Sequence, residues 1–249
     1  MEIRLEVCAG CIESVKAAAV GGAYRVELCS GLSEGGLTPS LGYLLEAQQV
    51  EGLKKNVLIR PRGGDFLYSE AELRVILRDI EAVREAGFDG IVVGMLTADG
   101  YVDRLAMREC MAAAGEMEVT FHRAFDLCCD QSHALETIIE LGCHRILTSG
   151  GAATAADGIA ALRALVKQSA GRILIMPGCG INADNVAAIV RGTGVTEVHA
   201  SARDWQLSRM QFRHAGVAMG NADVDEYAIA ITSVEKVRDI CGVLSCIGK

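Results

Sequence analysis

The chain has 249 residues, 51% of them hydrophobic but only 4% aromatic, and a formal charge of −8. Its core must therefore come from Ala, Val, Ile and Leu, which suits helices packed on a parallel sheet. The charge, with no dense Lys/Arg cluster, argues against a nucleic-acid partner, and no apolar stretch reaches the roughly 18 residues of a membrane span.

Arg4 and Glu6 interrupt the first apolar residues, so no signal peptide is read and a cytoplasmic setting is expected. Strand patterns fall near 3–8, 24–29, 56–60, 89–94, 117–122, 144–148, 173–177 and 196–199. Helical patterns fill 11–20, 40–51, 69–86, 103–114, 131–141, 154–169 and 183–190. The pattern at 69–86 is the clearest: Leu73, Ile76, Leu77, Ile80 and Val83 recur at helical spacing, Ser69 with Glu72 predicts a capping box, and Gly87 stops it. Eight such units predict an α/β fold of the (β/α)8 TIM-barrel type rather than an open doubly wound sheet. No G-x-G-x-x-G follows the first strand, and no organic cofactor is indicated. After Ser201 the alternation fails. Residues 202–249 read as a C-terminal extension, an arm plus a final helix around 233–241, which closes the barrel or serves a dimer contact. With no linker in view, 1–249 is read as one domain.

One repeat is informative. Arg4-Leu-Glu-Val-Cys8 recurs as Arg25-Val-Glu-Leu-Cys29. A barrel strand must turn its apolar side to the helices, so Leu5, Val7, Val26 and Leu28 face out and Glu6, Glu27, Cys8 and Cys29 face the axis. The same parity puts Arg60, His122 and His199 inward. Two rim thiols on adjacent strands at matched register suit a soft ion, Cu(I) above all, or simply fill a crowded layer. The ten cysteines otherwise read as small core residues, including the adjacent pair Cys128-Cys129, and Cys8-x-x-Cys11 is only a nominal redox motif.

Arg60-Pro-Arg62-Gly-Gly-Asp65 follows strand three and reads as an anion clamp, one arginine neutralising the inward glutamates while the other binds a ligand. Thr148-Ser-Gly-Gly151 and Pro177-Gly-Cys-Gly-Ile181 read either as anion cradles opening onto helix N-termini, offering Ser149, Gly150, Gly178 and Gly180, or as plain tight turns. Arg123 joins the anion-binding set. His122 and Glu27 are the candidate catalytic acid/base pair, with Asp126 and His199 nearby. None of the six lysines falls at a strand's C-terminal end, which leaves Schiff-base chemistry without its amine.

Leu5-Glu-Val-Cys8, Arg25-Val-Glu-Leu-Cys29, Glu34-Gly-Gly-Leu-Thr-Pro-Ser40, the run from Ile59 to Tyr68, Thr120-Phe-His-Arg-Ala-Phe-Asp126, Arg145-Ile-Leu-Thr-Ser-Gly150 and Ile175-Met-Pro-Gly178 resemble the CutC copper homeostasis family. The resemblance runs through His199-Ala-Ser-Ala202, with Met219-Gly220 continuing it. It implies a TIM barrel, a cytoplasmic setting, a homodimer and Cu(I) on Cys8 and Cys29. Cys179, where the family pattern has glycine, and Cys11 depart from it. Three functions remain open: a copper homeostasis protein binding Cu(I) at the barrel mouth, an enzyme working by acid/base chemistry on a small anionic substrate (phosphorylated or not), and a barrel serving as an interaction partner through an exposed apolar arm.

Overall fold

A computed structural model describes residues 2–214, 216–217 and 225–248. Met219 and Gly220 lie outside the described residues. Eight strands alternate with eight helices: β1 (Arg4–Ala9), α1 (Ile12–Gly21), β2 (Arg25–Leu28), α2 (Leu41–Gln48), β3 (Lys54–Leu58), α3 (Glu70–Glu85), β4 (Gly90–Val93), α4 (Arg104–Ala114), β5 (Glu118–Phe121), α5 (Gln131–Glu140), β6 (Arg145–Thr148), α6 (Ile159–Ser169), β7 (Leu174–Pro177), α7 (Val186–Thr193), β8 (Glu197–Ala200) and α8 (Val234–Ile247). From β1 to β7 consecutive strands pair in parallel, and β8 returns to pair with β1. With β7 packed against β8, the sheet is a nearly closed TIM barrel.

Local chemistry sets the element ends. Ser69 Oγ accepts from Glu72 N while Glu72 Oε2 accepts from Ser69 N at 2.7 Å, so the expected capping box starts α3. The helix turns Ile76, Ile80 and Val83 to the sheet. Outward-facing Leu5, Val7, Val26, Leu28, Val57, Val119, Phe121 and Val198 are all buried beneath the helices, as strand parity predicts. The sequence places two helix starts too early. α6 begins at Ile159 rather than near 154, because a turn closed by Thr154 Oγ1 and Asp157 comes first, and α7 begins at Val186 rather than 183.

The C-terminal stretch divides into two parts. α8 packs between α7 and α1, completing the helix ring, and it runs through Gly242 instead of ending near 241. Between β8 and α8 the chain leaves the ring as an antiparallel ribbon, β9 (Arg203–Leu207) and β10 (Ala228–Thr232). This ribbon is what the fold adds to a plain barrel.

Inside the barrel, parity stacks charges. Arg25 bridges Glu6 and Glu197, and Arg145 bridges Glu197 (2.7 Å) and Glu118 (3.1 Å). Lys54 continues the chain to Glu118 at 3.2 Å. Three carboxylates alternate with three cations, and Arg145 also reaches Thr120 Oγ1 at 3.2 Å. Charges this deep persist only when paired and hydrogen-bonded. The barrel floor is therefore polar but internally neutral, and it anchors the groups above it.

Candidate functional site

Above this floor, at the C-terminal ends of the strands, lies a cavity of about 130 Å³. Cys8, Glu27, Cys29, Leu32, Leu58, Arg60, Phe66, His122, Arg123, Leu147 and His199 contribute its side-chain walls. This is the face on which barrel enzymes carry their chemistry, since strand ends aim side chains inward and loops are free to vary.

One edge gathers the reactive groups. A Cys8 thiol, a Glu27 carboxylate oxygen and a His199 ring nitrogen lie within 4.8 Å of one another. The register explains their meeting: Cys8 is level with Glu27 across β1–β2, while Glu6 is level with His199 across β1–β8. His199 Nδ1–H donates to Glu6 Oε1 at 2.8 Å, which turns Nε2 toward the cavity, 3.5 Å from Glu27 Oε2. Glu6 is itself held by Arg25.

The electrostatics follow from these contacts. Burial would raise the Glu6 carboxyl, but Arg25 and His199 outweigh it and hold Glu6 well below its usual range. Burial opposes the His199 imidazolium, yet Cys8 and Glu6 hold that proton on well above the ordinary histidine value. Cys8 is lowered, first by a hydrogen bond from the Cys29 thiol and then, against burial, by His199. Cys29 is raised by donating that bond and by burial. Burial pushes Glu27 up to about 8, with His199 opposing. The edge is thus a thiolate, an imidazolium and a carboxylic acid that still holds its proton near neutrality.

The facing wall is built differently. His122 Nδ1 accepts from Ala124 N at 3.2 Å, so the neutral ring carries its proton on Nε2, which is buried without a partner. Burial and the neighbouring Arg60 push His122 down to about 3. Gly94 leaves space for this ring, since a methyl group there would come within 2.7 Å of Nδ1. Arg60 is fixed by its backbone N–H on Thr38 Oγ1 (2.9 Å) and lies with its guanidinium 5.0 Å from the Phe66 ring centre.

Of the residues singled out from sequence, Cys8, Glu27, Cys29, Arg60, His122 and Arg123 converge on this cavity. Gly178 stands behind it, where a side chain would strike Leu147 and lie against His199. Arg62 points elsewhere, engaged by Glu72 and Asp65. Ser149 and Gly150 do not line the cavity, and their turn already holds a carboxylate of this chain. Asp126 accepts from Thr148 Oγ1, from Ser149 N (3.1 Å) and from Gly151 N (3.1 Å). Gly150 N donates to Thr148 Oγ1 at 2.8 Å, and Arg123 is tied to Asp126 at 2.7 Å. Gly180 lies beside Thr154, away from the cavity. Neither glycine-rich turn opens directly onto a helix, because α6 and α7 start residues later.

Three expectations need correction. Cys8 and Cys29 are not at matched register: Cys8 faces Glu27, and Cys29 N bonds Ala9 O one step further up. Arg25, not an arginine of the Arg60–Asp65 run, neutralises the inward Glu6, because it lies on β2 directly opposite it, and none of the described arginines pairs with Glu27. Only four cysteines (Cys8, Cys29, Cys110 and Cys143) are buried, and Cys129 and Cys246 are exposed. Sequence reasoning did not single out Leu58, Phe66 and Leu147 as walls. The parity of β3 and β6 points to Leu58 and Leu147, whereas Phe66 comes from a loop with no periodic signal.

The comparisons agree with this architecture. The CutC family model matches residues 3–204. A Bacteroides thetaiotaomicron family protein CutC is 50% identical over 236 residues, covering 94% of this chain and 95% of that protein. The chain belongs to the CutC family. A human copper homeostasis protein cutC homolog is 47% identical over 237 residues, covering 95% of this chain and 87% of its own. Among solved structures, CutC from Streptococcus agalactiae superposes with a TM-score of 0.77 at 35% identity, covering 80% of this chain and 98% of that one. An aldolase, QR15, reaches a TM-score of 0.60 at 16% identity and shares the fold alone.

Proposed function

We propose that this CutC-family chain binds Cu(I) at the barrel mouth and serves copper homeostasis in the cytoplasm. The observation that carries the reading is the convergence of the Cys8 thiol, a His199 nitrogen and a Glu27 oxygen within 4.8 Å, with the Cys29 thiol on the wall of the same cavity. The donor chemistry fits the ion. Thiolates select Cu(I) and imidazole accompanies them well, whereas a carboxylate is a poor Cu(I) ligand. Cys8, Cys29 and His199 are therefore the ligands, and binding releases the protons of the Cys29 thiol and of His199 Nε2. Glu6 supplies the outer support, since a carboxylate on Nδ1 orients a ligating histidine. Among the described residues no helix is long and apolar enough to cross a membrane.

Anaerobic Cu(I) titration against a competing chelator tests this. The paired substitution Cys8→Ala with Cys29→Ala is expected to weaken binding by at least about 100-fold, since it removes both soft donors. Parent-like affinity in that variant removes the site.

A specific observation favours a second reading, an enzyme acting by acid/base chemistry on a small anion. Arg60 is a buried cation on the cavity wall, and none of the described carboxylates forms an ion pair with it. A thermal-shift panel of small anions, with and without Cu(I), separates the two readings.

We also infer that the chain works as a homodimer joined through its arm. The β9–β10 ribbon exposes Trp205, Leu207 and Ile229, the stretch after β9 exposes Phe212, and a two-stranded ribbon is marginal unless something covers it.

A further inference from the structure

Arg60 differs from the other buried arginines. Arg25 and Arg145 end on carboxylates, but Arg60, only 6% exposed, ends on carbonyls: Glu34 O (2.7 Å), Gly36 O (2.9 Å) and Gly64 O (2.8 Å). Carbonyl dipoles soften a buried charge without cancelling it, and a buried cation lacking a counter-charge is strongly unfavourable. Its Nε is buried without a partner of hydrogen-bonding geometry, and the Tyr68 hydroxyl beside the guanidinium brings no counter-charge.

His122 has the matching deficiency. It is 5% exposed and lines the same cavity, and its Nε2–H is a buried donor with nothing to bond. Its neutrality is secured by Ala124 N on the other nitrogen and by the adjacent guanidinium. Phe66 holds the pair together, with its ring centre 5.0 Å from the Arg60 guanidinium carbon and 4.8 Å from the His122 ring centre. Two buried, unsatisfied donors, one charged and one neutral, therefore share one wall. Neither belongs to the Cys8–Cys29–His199 edge.

Size and polarity narrow what fits. A cavity of about 150 Å³ takes a benzene-sized molecule of about six non-hydrogen atoms, and this one is about 130 Å³. Leu32, Leu58 and Leu147 also line the space and would lie against the oxygens of a bare inorganic phosphate, whereas a carbon skeleton would cover them. A full charge on Arg60 and a neutral acceptor on His122 are both required.

Resting on the small-anion reading above, we propose that the cavity is a subsite for a small 2-oxo or 2-hydroxy monocarboxylate, its carboxylate on Arg60 and its second oxygen on the His122 Nε2–H. The acid's carbon chain lies over the leucines, with the Cys8–Glu27–His199 edge facing its reacting end.

Calorimetry or thermal shift on the full-length protein tests this with pyruvate, lactate, propionate and inorganic phosphate as probes. Pyruvate or lactate is expected to bind at least about tenfold more tightly than propionate, because propionate leaves the His122 donor unpaired. His122→Phe should remove that preference while propionate binding stays. Arg60→Met should lose all of the acids, and Arg60→Lys, which keeps the charge if Met impairs folding, should retain weakened binding. Equal affinity for pyruvate and propionate in the parent overturns the proposal. Tighter binding of inorganic phosphate than of any acid overturns the substrate class but leaves the small-anion reading standing. If none of the four probes binds, both fail.

Discussion

Two buried histidines face one cavity, and their neighbours drive them to opposite charge states. His199, between Glu6 and Cys8, keeps its proton, while His122, beside Arg60 in an apolar setting, falls to about 3 and stays neutral. Environments that separate like groups in this way assign one as a charged partner and the other as a neutral donor. Glu27 makes the electrostatics measurable. The unfolded carboxyl titrates near 4.5, whereas burial raises the folded one to about 8. A raised folded pKa contributes stability that is fully present below 4.5 and is lost as pH rises through about 8. Glu27→Gln cannot titrate, so its Tm relative to the parent should climb across that window and stay level below it. A difference in thermal melts that does not change with pH would contradict the assignment.

At the scale of elements, the turn after β6 shows how a chain can occupy its own anion cradle. Thr148, Ser149 and Gly151 direct donors at one point, as a phosphate site would, but Asp126 from the short 3-10 turn Arg123–Leu127 fills it with a side chain only 6% exposed. The carboxylate joins the loops after β5 and β6 into one unit and fixes Arg123 at the cavity rim. Asp126→Ala leaves several donors without an acceptor, and urea unfolding should show a loss of about 2–3 kcal/mol. A loss below about 0.5 kcal/mol, within the range of an ordinary surface substitution, would mean that water replaces the carboxylate without penalty.

For the whole molecule, the barrel ring is complete once α8 packs on α1, and the arm stands outside that ring with every β9 residue exposed. The proposed second copy would cover this apolar surface. Light scattering on the purified protein should give a dimer. Trp205→Asp with Phe212→Asp should yield a monomer whose circular dichroism and melting still report an intact barrel. A monomeric parent would end the dimer reading.

Several features were legible in the one-dimensional chain because they are local or periodic. Alternation gave the eight βα units, the capping box marked the start of α3, and two-residue parity sent Glu6, Glu27, Cys8, Arg60, His122 and His199 inward. The family resemblance, carried by long unusual runs, was equally visible. Other features were hidden because they depend on register and on closure of the ring. Glu6 meets His199 across 193 positions of sequence only because β8 returns to β1, and Arg25 takes the role expected of an arginine in the 60–65 run only because it sits opposite Glu6. Parity states which side a residue faces but not its height along the barrel axis. That height, set by the stagger of neighbouring strands, placed Cys8 beside Glu27 and left Arg60 and His122 as unsatisfied donors on the same wall.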